Sequence, residues 1–86
     1  MTPGSGGDHE VTVRYWAAAR AAAGVASDLV PGRTVAEAVD AAVELHPGLR
    51  AVAAVATFLV DGAAAAGDRP LSPGVTVEVL PPFAGG

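Results

Sequence analysis

The stretch of this chain most suited to a reaction is its last six residues, Pro81-Pro82-Phe83-Ala84-Gly85-Gly86. Ending on Gly85-Gly86 presents a carboxylate with no side chain beside it. Two successive prolines stiffen the approach and remove backbone donors, so the segment can leave a sheet and extend. Six residues at roughly 3.3 Å each reach about 20 Å, enough to thread a carboxylate into a partner's pocket. Glycine carries no Cβ, so the walls of another protein can close around its backbone. These properties suit a terminus that is itself the reactive group. The plainer alternative is a frayed, glycine-rich end. A carboxylate with a pKa of about 3.5 is a poor electrophile, so a reactive terminus of this kind needs outside activation. The chain has no phosphate-cradling GxxxxGK loop to supply it.

The rest of the composition narrows the chemistry further. There is no cysteine, which removes thiolate nucleophiles, disulfides and cysteine metal sites. His9 and His46 are the two histidines, and no triad or metal set can be assembled around them. His9 reads as an idle, solvated residue. The net charge is −4, and the five basic residues are scattered rather than gathered in a patch, which argues against nucleic acid. Mild acidity would suit a basic docking surface, but solubility explains it equally well. No segment reads as a signal peptide, and none approaches the roughly 18 apolar residues of a spanning helix, so a cytoplasmic location is expected and no membrane partner.

Eighty-six residues make one small domain. Hydrophobic residues are 51% of the chain, but many are alanines, so the core must rest on Val, Leu, Phe58 and Tyr15. Residues 1–10 are expected to be a disordered N-terminal segment, 11–80 the folded domain, and 81–86 an extended tail. Alternation places Val11, Val13 and Tyr15 on one face of a first strand and Thr12, Arg14 and Trp16 on the other. Trp16 on the polar face has two readings, one as a residue covered by a loop and one as an exposed anchor for a partner. Ala17–Ala23 with Gly24 reads as a short capped helical turn, and Ala26–Val30 as a second strand forming a hairpin with the first.

The clearest helix starts at Thr34, whose spacing to Glu37 is that of a capping box. Val35, Ala38, Val39, Ala42, Val43 and Leu45 form its apolar stripe, and His46 before Pro47-Gly48 ends it, at the negative end of the helix dipole. Leu49–Ala56 is expected as a second short helix. Thr57–Val60 is then a strand ending in the turn pair Asp61-Gly62, with Ala63–Ala66 as its return strand. Residues 67–74 are loop, and Val75–Leu80 alternates again before the tail. Strands gathered around one helix predict an α+β fold with a mixed sheet packed on that helix. If the first and last strands pair, this is the ubiquitin-like β-grasp with a protruding Gly-Gly tail. Trp16 and Leu80 then share one exposed face at the root of that tail.

With these residues in place, the chain resembles the MoaD/ThiS family of sulfur carriers, and most of all the small subunit of molybdopterin synthase. The resemblance runs from about Val11 to Gly86, through VTVRYWAAAR, the loop ending at Gly24, the helix start TVAEAV, the Leu71-x-x-Gly74 turn and PPFAGG. The double proline favours the molybdopterin carrier over the thiazole carrier. Asp61-Gly62 in place of the family's common Asn-Gly, and Val75 in place of an acidic residue, are departures confined to turns.

The resemblance implies a carrier with no catalytic site and no bound cofactor of its own. An E1-like adenylyltransferase would use ATP and magnesium to convert the Gly86 carboxylate into an acyl-adenylate. A sulfur donor protein would then displace AMP to leave a thiocarboxylate, and the large synthase subunit would take up the tail. Gly86 would carry the sulfur, Gly85 would give clearance, Ala84 would be part of the tail, and Pro81, Pro82 and Phe83 would set the tail's course. Trp16 and Leu80 would form the docking face. The alternatives are a carrier for thiamine thiazole or cysteine synthesis, a ubiquitin-like protein modifier, and a binding module with a passive tail.

Overall fold

A computed structural model describes residues 9–82 of the chain. Strands β1 (Glu10–Tyr15), β2 (Ser27–Pro31), β3 (Thr57–Val60), β4 (Ala63–Ala64) and β5 (Thr76–Leu80) form one sheet in the order β2-β1-β5-β3-β4. The β1–β5 pair is parallel, with Tyr15 opposite Val79, and the other pairs are antiparallel. Helices α1 (Ala17–Ala23), α2 (Val35–Leu45) and α3 (Arg50–Ala53) complete the fold, with a 3-10 turn at Pro47–Leu49. The expected pairing of first and last strands is therefore present, and β5 lies at the centre of the sheet.

Alternation decides which face is covered. Val11, Val13, Tyr15, Val77 and Val79 are buried against α2, which contributes Val35, Ala38, Val39, Ala42 and Val43. The opposite face of the sheet carries Thr12, Arg14, Thr76, Glu78 and Leu80. Helix α1 enters the core through Ala19 and Ala23 and stops at Gly24, whose φ of 78° is left-handed and whose amide donates to the Arg20 carbonyl at 2.9 Å. The β3–β4 hairpin turns on Asp61 (φ 53°) and Gly62 (φ 80°), the two positive values a type I′ turn requires. Aspartate fills the first of these positions as asparagine would.

The cap of α2 is a variant of the expected one. Thr34 Oγ1 accepts from the Glu37 amide at 3.2 Å, but the Glu37 carboxylate reaches back to the Arg33 amide, at 2.8 Å, one residue further than the usual box. Leu45, expected on the apolar stripe, is 55% exposed. The 3-10 turn folds back on α2 and puts Leu49 in the core, leaving Leu45 nothing to bury against. The expected helix over 49–56 is divided between that turn and α3, and the return strand after Gly62 shortens to two residues.

The N-terminal boundary also moves. Glu10 opens β1, and His9 is half-buried rather than an idle solvated residue. The His9 ring Nε2–H donates to the Leu71 carbonyl at 2.9 Å, and its own carbonyl accepts from the Gly32 amide at 3.0 Å. The first eight residues, expected to be disordered, lie outside the described residues.

Candidate functional site

The parallel β1–β5 pair brings two tripeptides into line, Arg14-Tyr15-Trp16 and Glu78-Val79-Leu80. Arg14 is opposite Glu78 and Tyr15 opposite Val79, and the Trp16 amide donates to the Val79 carbonyl at 3.2 Å. Tyr15 and Val79 point into the core, so Arg14, Trp16, Glu78 and Leu80 share the open face. Trp16 is 37% exposed and Leu80 is half-buried. Of the two readings of Trp16, this exposure rules out the loop-covered one. Helix α1, which begins at the next residue, sends Ala19 and Ala23 into the core instead of covering the indole.

Trp16 is nevertheless fixed. Its Nε1–H donates to Glu78 Oε1 at 2.8 Å, and the Arg14 guanidinium carbon lies 4.6 Å from the ring centroid. A cation over the ring face and a carboxylate on its N–H hold the indole in one orientation at low entropic cost. Neither Arg14 nor Glu78 was singled out from sequence. The available signal was the matched order of charge, core residue and large apolar residue in the two strands, which becomes meaningful once the strands are known to pair in parallel.

The root of the tail differs from expectation in one respect. Pro81, taken as the first tail residue, is buried, whereas Pro82 is exposed. A proline can end a strand inside the fold without leaving an unpaired N–H. The folded body thus extends one residue further than Leu80. Phe83, Ala84, Gly85 and Gly86, the expected carriers of the tail's course and chemistry, lie outside the described residues.

A second cluster escaped the sequence reading. Asp28 Oδ2 accepts from the Tyr15 hydroxyl at 2.8 Å and lies 2.7 Å from His46 Nε2. The Tyr15 and His46 rings meet edge to face, 6.0 Å between centroids. His46, expected simply to favour the negative end of the helix dipole, instead ties the end of α2 to β1 and β2. Burial first, then the Asp28 hydrogen bond and charge, pushes the Tyr15 phenol well above the usual tyrosine range. The cluster cross-links β1, β2 and the end of α2, which is a structural role. Among the described residues, no group of three or more His, Asp or Glu could hold a metal ion. No helix among them is long and apolar enough to cross a membrane.

A mixed sheet of this order, gripping one main helix and ending on its central strand, defines a ubiquitin-like β-grasp domain. The chain belongs to the ThiS family, whose sequence model matches residues 13–86. Members of this family are small carrier or modifier proteins without a catalytic site of their own, and they typically interact with E1-like activating enzymes. No curated protein matches the sequence. Among solved structures, SAMP1 from Haloferax volcanii is similar at 26% identity and a TM-score of 0.80, over 90% of this chain and 99% of that one. A protein from Pyrococcus furiosus, provisionally named molybdopterin converting factor, subunit 1, shares the fold at 24% identity and a TM-score of 0.76, over 87% of this chain and 99% of that one. The small archaeal modifier protein 1 of Methanosarcina acetivorans shares it at 23% identity and a TM-score of 0.79, over 91% and 97% of the two chains.

Proposed function

We propose that this chain is a sulfur carrier that donates sulfur for molybdopterin synthesis, as the small subunit of molybdopterin synthase in the cytoplasm. The observation that carries the reading is the reach of the ThiS-family match, which continues past the folded body, through Pro81-Pro82, to Gly86. A carboxylate oxygen of Gly86 attacks the α-phosphorus of ATP on the E1-like adenylyltransferase, with magnesium and loss of pyrophosphate. Hydrosulfide supplied by a donor protein attacks the acyl carbon, AMP leaves and the S–H proton is lost, and the resulting thiocarboxylate then passes to the large synthase subunit. Gly85 lets the enzyme close around the backbone, while Pro82 and Phe83 direct it. Trp16 and Leu80, on the open face at the tail's root, supply the apolar contact for docking.

The test is an intact mass after incubation with the adenylyltransferase, ATP, magnesium and a sulfur source. One oxygen-to-sulfur exchange confined to the last peptide is expected, and its absence under activating conditions would sink the reading. Transfer to a pterin precursor by the large subunit then separates molybdopterin from thiazole or cysteine synthesis.

A second reading, as a protein modifier, is favoured by the likeness to SAMP1, which is named a small archaeal modifier protein. It requires Gly86 joined to lysine side chains in an isopeptide bond. Conjugates that disappear on deletion of Gly86 would establish it.

A further inference from the structure

Among the described residues, strand β2 is the outer strand of the sheet beside β1, and hydrogen-bond phase fixes which of its backbone groups these residues leave unpaired. The Tyr15 amide donates to the Ala26 carbonyl at 2.9 Å, and the Gly32 amide to the His9 carbonyl at 3.0 Å. In an antiparallel pair, bonded and non-bonded positions alternate. Given the register Val13 to Asp28 and Val11 to Val30, residues 26, 28, 30 and 32 turn their N–H and C=O groups toward β1. Ser27 and Leu29 must turn theirs outward, and Pro31 presents a carbonyl alone. Leu29 is 61% exposed. A row of outward amides and carbonyls beside an exposed leucine is a template for another strand.

What would lie beside such a strand is also visible. Helix α2 packs along β2, with His46 at Asp28 and Gly32 against Ala38. Beside the Pro31 end of β2 the surface opens into a cleft of about 390 Å³, lined by Pro31, Gly32, Arg33 and His9 and, along α2, by Glu37, Asp40 and Glu44. Three carboxylates and one guanidinium line it. Side chains of an added strand alternate, so half would project over this acidic side of α2 and half would lie beside Leu29.

We propose that the free edge of β2 and the acidic side of α2 form a docking groove for an extended, lysine- or arginine-rich strand of a partner protein, which adds to the sheet beside β2. Backbone pairing supplies the adhesion and the carboxylates select the charge. Charge also argues against a second copy as the occupant, since edge-to-edge pairing would bring two acidic sides together in chains of net charge −4. The proposal goes beyond the sulfur-carrier reading and does not depend on the chemistry of Gly86.

The probe is an acetylated, amidated peptide of alternating valine and lysine, titrated into isotopically labelled full-length protein. The expected result is downfield shifts and slowed exchange of the Ser27 and Leu29 amides. The valine–glutamate counterpart should bind at least about tenfold more weakly, and added salt should weaken the lysine peptide. Asp40→Lys and Glu44→Lys, both on exposed helix positions, should each lower affinity by about fivefold or more without lowering the melting temperature. Leu29→Pro removes only an outward N–H, which an edge strand tolerates, and should weaken binding in a protein that still folds. Equal binding by a peptide N-methylated at alternate residues would overturn the proposal, because charge alone would then suffice. So would shifts centred on Trp16 and Leu80, or no shift at Ser27 and Leu29. Concentration-dependent dimers that protect these two amides without peptide would also overturn it, by making a second copy the occupant.

Discussion

Trp16 sits where the fold meets the proposed docking face, and its neighbours separate the two roles. Its indole leans on Arg14 and Glu78 across the open face, while Val13 and Val77 are fully buried one layer below. Trp16→Ala should therefore weaken binding to the adenylyltransferase or large subunit by about tenfold or more. Its cost to folding should stay below that of Val13→Ala or Val77→Ala, for which about 2 kcal/mol is expected. Melting curves and binding titrations on the same variants check this, and unchanged affinity with a collapsed melting temperature would make the indole a core residue. Ala17, the next residue, holds a φ of 49°, a left-handed value that costs an L-residue roughly 1–2 kcal/mol. Ala17→Gly should relieve part of that and raise the melting temperature. Gly32 is the opposite case. A Cβ there would come within 2.8 Å of the Ala38 backbone nitrogen, so Gly32→Ala should destabilise by about 1–3 kcal/mol as α2 is pushed off β2.

At the level of elements, one carboxylate joins three of them. Asp28 on β2 receives the Tyr15 hydroxyl from β1 and faces His46 at the end of α2. The Tyr15 phenol is raised above its ordinary value in the folded state, so the folded chain keeps that proton at a pH where the unfolded chain loses it. The stability it contributes is complete below about pH 10, the unfolded tyrosine value, and is lost as the pH rises above it. Melting curves measured from neutral to strongly alkaline pH should show this loss. Tyr15→Phe, less stable at neutral pH, should show a shallower alkaline decline. Equal slopes would remove Tyr15 as the source.

For the molecule as a whole, the question is where body ends and tail begins. Pro81 is buried and Pro82 exposed, which puts the boundary between them. Truncation after Pro81 should leave the melting temperature almost unchanged, whereas truncation after Leu80 should lower it. Deleting Gly86 alone should abolish sulfur transfer with no thermal effect. A large loss of stability on removing the glycines would show that the tail is packed structure.

The order of elements was legible in the sequence because each has a local signature. Period-two valines mark β1 and β5, Thr34 and Glu37 mark the start of α2, and Asp61-Gly62 marks a hairpin. Local pattern also carried the α+β class and the suspicion that Gly86 is the reactive end. The parallel register was not legible, since it depends on contacts between residues some 60 positions apart. With it came the holding of Trp16 by Arg14 and Glu78. Nor were the burial of Pro81, the exposure of Leu45 and the engagement of His9 and His46 legible. Each depends on which chain segment fills the adjoining space, and packing decides that after the strands have paired. Hydrophobic periodicity assigns a residue to a face; only the assembled sheet decides what lies against that face.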